Sequence, residues 1–205
     1  MRTEAFKWGT EDNSTCYLPD YPIDISGAVP VILQESYYGC GGYPYTAQCF
    51  NIQTGDEAAF NLLHERAYAS SVTTSDKTFI FGGNDPYDLA SYETISVDHT
   101  QSEGVLPFTW AFGCATLINS TTILLAGGWQ NSTTKANTWF FNWRTEEWTP
   151  GPNMIEERED FGCGLIKSID SVAAFGGGSL TSTATEIVKL PGGSFQKGNH
   201  QRLFD

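Results

Sequence analysis

Ile123-Leu124-Leu125-Ala126-Gly127-Gly128, continued by Thr138-Trp139-Phe140-Phe141 and closed by Trp148, is the stretch on which the fold turns. A short apolar run ends on a glycine doublet, a polar segment follows, and a second β-compatible run leads to an aromatic anchor seven residues beyond Phe141. The same order recurs. Tyr37-Tyr38-Gly39-Cys40-Gly41-Gly42, Phe79-Ile80-Phe81-Gly82-Gly83 and Ala173-Ala174-Phe175-Gly176-Gly177 give three more doublets, spaced from first glycine to first glycine by 41, 45 and 49 residues. Each is followed by a further run: Gln48–Ile52, Thr94–Val97 and Thr185–Val188. Phe195 repeats the anchor in the fourth unit, whereas Glu57 and Gly104 stand at that offset in the first two. Self-similarity at such a period marks an array of supersecondary units.

The pattern resembles the kelch repeat, in which a hydrophobic run ends in a glycine doublet and a Tyr and a Trp follow. The third unit matches best, with Phe141 where Tyr is usual and with Trp148, Arg158 and Phe161-Gly162 in place. The resemblance covers roughly residues 25–196 and implies an all-β, kelch-type β-propeller. Four four-stranded antiparallel blades are expected over 31–66, 67–110, 111–158 and 159–205. In the third unit the β-compatible runs are 111–118, 122–126, 136–142 and 146–149. One blade cannot bury both faces, so neighbours must stack about an axis. Gly41, Gly42, Gly82, Gly83, Gly127, Gly128, Gly176 and Gly177 then lie where a side chain would crowd the centre, Trp148 fills the space between blades, and Arg158, like Arg66, takes a structural role. Residues 1–30, with Leu18-Pro19-Asp20-Tyr21-Pro22, look like the tail of a preceding blade and its linker. The chain is either part of a larger ring or a four-bladed closure, and the linker favours the larger ring.

Composition supports short strands and turns: 14% aromatic, only 17% charged, 21 glycines and nine prolines. A net charge of −13 disfavours nucleic acid and anionic membrane surfaces. The apolar runs are too short for membrane insertion by helices. No signal peptide opens the chain, yet five cysteines and sequons at Asn13, Asn119 and Asn131 point to an extracellular, secreted glycoprotein; a cytoplasmic protein with idle sequons is the alternative. Cys40 and Cys49 fall on strands expected to pair, within disulfide range, and their spacing looks like a pattern of secreted invertebrate kelch-like proteins. Cys114 and Cys163, in Phe112-Gly113-Cys114 and Phe161-Gly162-Cys163, are expected as free buried thiols on innermost strands. Cys16 is left over.

Sites of chemistry are sparse. His64, His99 and His200 are isolated, and no zinc spacing or nucleophile elbow is present. No cofactor is expected. Glu156-Glu157-Arg158-Glu159-Asp160 reads as a linker around the structural arginine, and Asn84-Asp85-Pro86-Tyr87-Asp88 as a solvated turn more than a calcium loop. The expected function is therefore a non-catalytic binding scaffold for a protein or glycan. Its candidate binding residues are Tyr43, Tyr45, Asp85, Tyr87, Asp88 and Trp129, on the loops 43–46, 84–91, 129–137 and 178–183, which should share one face. The alternatives are a propeller fragment of a copper oxidase of the galactose oxidase type, and a cytoplasmic adaptor serving as a substrate receptor.

Overall fold

The computed structural model describes residues 4–6, 15–131, 133–177, 184–190 and 192–197. Four small antiparallel sheets follow one another along the chain, with a single turn of 3-10 helix at Lys167–Ile169. The first blade comprises Val29–Leu33, Ser36–Cys40 and Cys49–Asn51, its outer edge reduced to a Phe50–Glu57 bridge. The second comprises Ser70–Thr73, Lys77–Phe81, Ser91–Ser96 and Gln101–Val105. The third is Cys114–Leu117, Thr122–Ala126, Thr138–Asn142 and Glu147–Pro150. The fourth is Gly162–Ile166, Ser171–Phe175, Glu186–Lys189 and Gln196–Lys197. First strands of successive blades lie side by side, in the order expected of a propeller. Upstream, the backbones of Glu4–Phe6 and Thr15–Tyr17 form an antiparallel pair.

Three apolar clusters fill the gaps between successive blades. Val31, Leu62, Ile80 and Ile95 pack between the first and second, Phe79, Phe81, Tyr92, Trp110 and Phe141 between the second and third, and Leu124, Met154, Val172 and Phe195 between the third and fourth. The doublets hold these contacts close. Gly82 has φ +58°, and a methyl group there would run into the Trp110 carbonyl. The second glycines donate to the linker carbonyls: Gly42 N to Arg66 O at 2.8 Å, Gly83 N to Trp110 O at 2.8 Å and Gly128 N to Arg158 O at 2.7 Å.

Trp148 stacks on Phe141 at 4.3 Å and packs, partly buried, against the cluster between the second and third blades. Trp110, 1% exposed, is enclosed more completely, and its Nε1 donates to Gly127 O at 2.7 Å. The missing anchor at Gly104 is explained by Tyr92, whose ring occupies the space a side chain there would need.

Arg66 and Arg158 are both fully buried and repeat one another. Arg66 Nη2 pairs with Glu93 Oε1 at 2.7 Å and its Nη1 reaches Gly82 O. Arg158 Nη2 pairs with Glu186 Oε1 at 3.0 Å and its Nη1 reaches Gly176 O at 2.6 Å. Each glutamate in turn accepts from the linker backbone, at Leu63 N and at Ile155 N. In the third blade the same two places hold Trp110 and Trp139, so two linkers are locked by a buried ion pair and the one between them by indoles.

Cys40 and Cys49 are directly opposed in register, Cα atoms 4.1 Å apart, and form a disulfide. Cys114 and Cys163 also form one, with Cα atoms 5.9 Å apart, which corrects the expectation of free thiols. The reason lies in the pleat. Phe112 and Asp160 are corresponding residues of their linkers, so Cys114 stands two residues beyond its reference and Cys163 three. Alternate residues of a strand point to opposite faces. Ser70, placed like Cys114, bonds forward to Ala115 N, and Ser71, placed like Cys163, bonds back to Pro30 O. One thiol therefore faces the next blade and the other the preceding blade, and they meet.

Candidate functional site

The residue two positions before each first strand adopts a left-handed backbone: Gly27 (φ 67°), Tyr68 (57°), Phe112 (56°) and Asp160 (51°). Their peptides are joined around the axis. Tyr68 N donates to Gly27 O at 2.8 Å, Phe112 N to Tyr68 O at 3.0 Å and Asp160 N to Phe112 O at 2.9 Å. Tyr68 and Phe112 stack with ring centroids 4.5 Å apart, and Tyr68 OH lies 3.1 Å from Ser26 Oγ. A hydrogen-bonded rim with aromatic side chains thus runs from blade to blade along the axial end of the array.

The loops after the doublets rise beside this rim. Each starts on a bridge between the linker and the residue after the doublet: Ser26–Tyr43, Ala67–Asn84 and Ala111–Trp129. In the second blade Asn84–Asp85 folds back on Tyr87–Asp88 about Pro86, leaving Tyr87 82% exposed. In the third, Trp129–Gln130 pairs with Thr133–Thr134. Between them lies a cavity of about 510 Å³, lined by Asn84, Pro86, Tyr87, Asp88, Phe112, Trp129, Glu159 and Asp160, a size ordinary for a ligand site.

Of the predicted binding residues, Tyr87, Asp88 and Trp129 line this cavity, while Tyr43, Tyr45 and Asp85 are not among its lining residues. Tyr43 and Tyr45 pack edge to face at 5.3 Å. The Tyr45 hydroxyl is pushed up first by loss of solvation and then by Tyr43, Asp85, Tyr68 and Asp88 around it, which ties the first-blade loop to the same cluster. Phe112, Glu159, Asp160 and Tyr68 were not anticipated. Their one sequence signal is a common distance before each first strand. The 178–183 loop and Asn13 lie outside the described residues.

The electrostatics have one sign. Partial burial raises the Asp88 carboxyl above its ordinary value, and Asp160 is raised by burial and then by its neighbour Glu159. Glu159 accepts from Thr134 Oγ1 at 3.0 Å. Among the described residues no basic side chain lines the cavity. Aromatic faces beside carboxylates suit hydroxyl-rich or cationic groups and repel anions.

No protein-family model matches the chain, and no curated protein matches it. Among solved structures, one described as "Structure of YjhT" superposes with a TM-score of 0.71 at 14% sequence identity, over 92% of this chain and 69% of that chain. At that identity the likeness shows a shared fold: the chain is a four-bladed β-propeller-like array.

Proposed function

We propose that the chain is the kelch-type propeller of an extracellular protein and acts as a non-catalytic scaffold, capturing a protein or glycan at the rim-side mouth. The observation that carries this reading is the cavity between the second- and third-blade loops, which presents Tyr87 and Trp129 beside Asp88 and Asp160 on a hydrogen-bonded frame, with Tyr45 of the first-blade loop within electrostatic reach of Asp88. Rigid elements that present exposed aromatics on loops are the usual platform for recognition. The carboxylates direct the choice toward partners displaying hydroxyl or cationic groups. Secretion is supported by the Cys40–Cys49 and Cys114–Cys163 disulfides, which persist in oxidising compartments, together with the three sequons.

The test is capture from a glycan array and a display library of extracellular proteins by the immobilised chain. Tyr45→Ala with Tyr87→Ala should abolish capture and leave the melting temperature unchanged. Substitutions in the opposite-face turn Ser75–Lys77 should leave capture intact; the reverse result would place binding on the other face.

A further inference from the structure

On the face opposite the rim, a second cleft of about 600 Å³ opens between the third and fourth blades. Ile118, Phe140, Leu165 and Leu190 form its apolar lining, and Asn119 and Asp170 stand among its polar residues. All four apolar side chains pack onto the buried cluster between these blades yet keep partial exposure toward the cleft. Apolar area left in a concave wedge favours an occupant, at roughly 25 cal/mol per Å² covered.

Asn119 begins the sequon Asn119-Ser120-Thr121, in the exposed turn between Cys114–Leu117 and Thr122–Ala126. Its Oδ1 accepts from Thr121 N at 2.9 Å, Thr122 N at 2.9 Å and Thr121 Oγ1 at 3.2 Å. Three bonds to the carbonyl oxygen fix the carboxamide plane, while Nδ2 has no hydrogen-bond partner among the described residues. Asn131 differs: its Oδ1 accepts from Thr109 across the rim, and the sequon hydroxyl of Thr133 donates to Gln130 O. The second sequon with a described asparagine therefore adjoins the rim site, and Asn119 alone adjoins the opposite cleft.

We propose that Asn119 carries an N-linked glycan whose first sugars lie in this cleft, against Phe140, Leu165 and Leu190. The inference rests on the extracellular reading above. Transfer from a lipid pyrophosphate-linked oligosaccharide would form a bond between Asn119 Nδ2 and the anomeric carbon of N-acetylglucosamine. The bond from that carbon to phosphate oxygen breaks, the lipid pyrophosphate leaves, and Nδ2 gives up one proton. The acetamido methyl and the apolar ring face supply what the lining needs, and the ring hydroxyls can meet Asp170, Asn142 and Thr149 at the edge. The attached sugar thus acts as a wedge between two blades, not only as a surface coat.

The experiment is secretion of the full chain from a eukaryotic cell, glycopeptide mapping, and melting of three forms of the same sequence: intact glycan, glycan trimmed to one N-acetylglucosamine, and chain made sugar-free with N-glycosylation blocked. The mapping should find Asn119 occupied. The intact and trimmed forms should melt together, about 2–4 °C above the sugar-free form, the shift that about 1 kcal/mol produces in a chain of this length. Leu190→Ser should remove most of the difference between trimmed and sugar-free protein. A glycan on Asn131 with none on Asn119, or equal melting of the trimmed and sugar-free forms, would overturn the proposal while leaving secretion intact. No glycan on any sequon would overturn both.

Discussion

Replacing Arg158 with Met tests how the blades are fastened. The guanidinium is fully buried and bonds to Glu186 Oε1 through Nε at 3.2 Å and Nη2 at 3.0 Å, to Gly176 O at 2.6 Å and to Glu156 Oε2 at 3.3 Å. Methionine fills similar volume but leaves the equally buried Glu186 carboxylate without its counter-charge. Breaking one partner of a buried pair costs about 3–5 kcal/mol. In a chain of this size each kcal/mol moves the melting temperature by about 2–4 °C, so the drop should be about 6–20 °C. Glu186 also accepts from Ile155 N and Glu156 N. The double variant Arg158→Met with Glu186→Leu therefore still leaves two linker amides unsatisfied, and it should recover stability only in part. Thermal and urea melts followed by tryptophan fluorescence measure all three. Arg144, more than half exposed, 3.8 Å from Asp76 and 4.2 Å over the Trp143 ring, is the control: Arg144→Met should cost at most about 1 kcal/mol. An Arg158→Met variant no less stable than the Arg144 control would refute the ion pair as a fastener.

Trp110→Ala should destabilise by about 3–5 kcal/mol and exceed Trp148→Ala in the same melts, because only Trp110 is fully enclosed. By loop length, 49 residues against 9, replacing Cys114 and Cys163 with Ser should cost about 4 kcal/mol and replacing Cys40 and Cys49 about 2.5 kcal/mol; equal losses in denaturant titration would contradict this. Asp160 has a raised carboxyl in the folded state, so ionising it opposes folding: its penalty is absent below the unfolded pKa and appears as pH rises through the folded one. Asp160→Asn should therefore raise the melting temperature slightly at pH 7 and have no effect near pH 3; a gain at both pH values would point to something other than charge.

The blade order was legible because the doublets mark places where backbones come too close for a Cβ, and that constraint survives any change in loop length. Cys40–Cys49 was legible for a related reason, since pairing inside a blade is local. The second disulfide was not. Counting from the shared Phe-Gly-Cys motif makes Cys114 and Cys163 look equivalent, and only the linker frame reveals the one-residue offset that turns them toward each other. The rim was hidden because Tyr68, Phe112 and Asp160 adopt φ > 0 without the glycine that normally advertises it. Glu93 and Glu186 sit 27 and 28 residues beyond their arginines, a distance at which sequence carries no sign of pairing. Tyr87, Asp88 and Trp129, which line the cavity, could be singled out because aromatics and acids after the doublets need no partner to be noticed.

The belt of backbone hydrogen bonds from Gly27 through Tyr68 and Phe112 to Asp160 involves none of the loop residues it supports. Each loop begins on its bridge to the linker, and the second closes again where Leu89 N meets Gly83 O at 2.8 Å. A residue inserted at Pro86 or between Asn131 and Thr133 thus changes the contents of the mouth and leaves its outline alone. The scaffold behaves as a socket with exchangeable cassettes. Loops of different length can be grafted at 84–88 or 129–134 with the melting temperature as the check on the frame, and selectivity can drift in these segments without the blades being repacked.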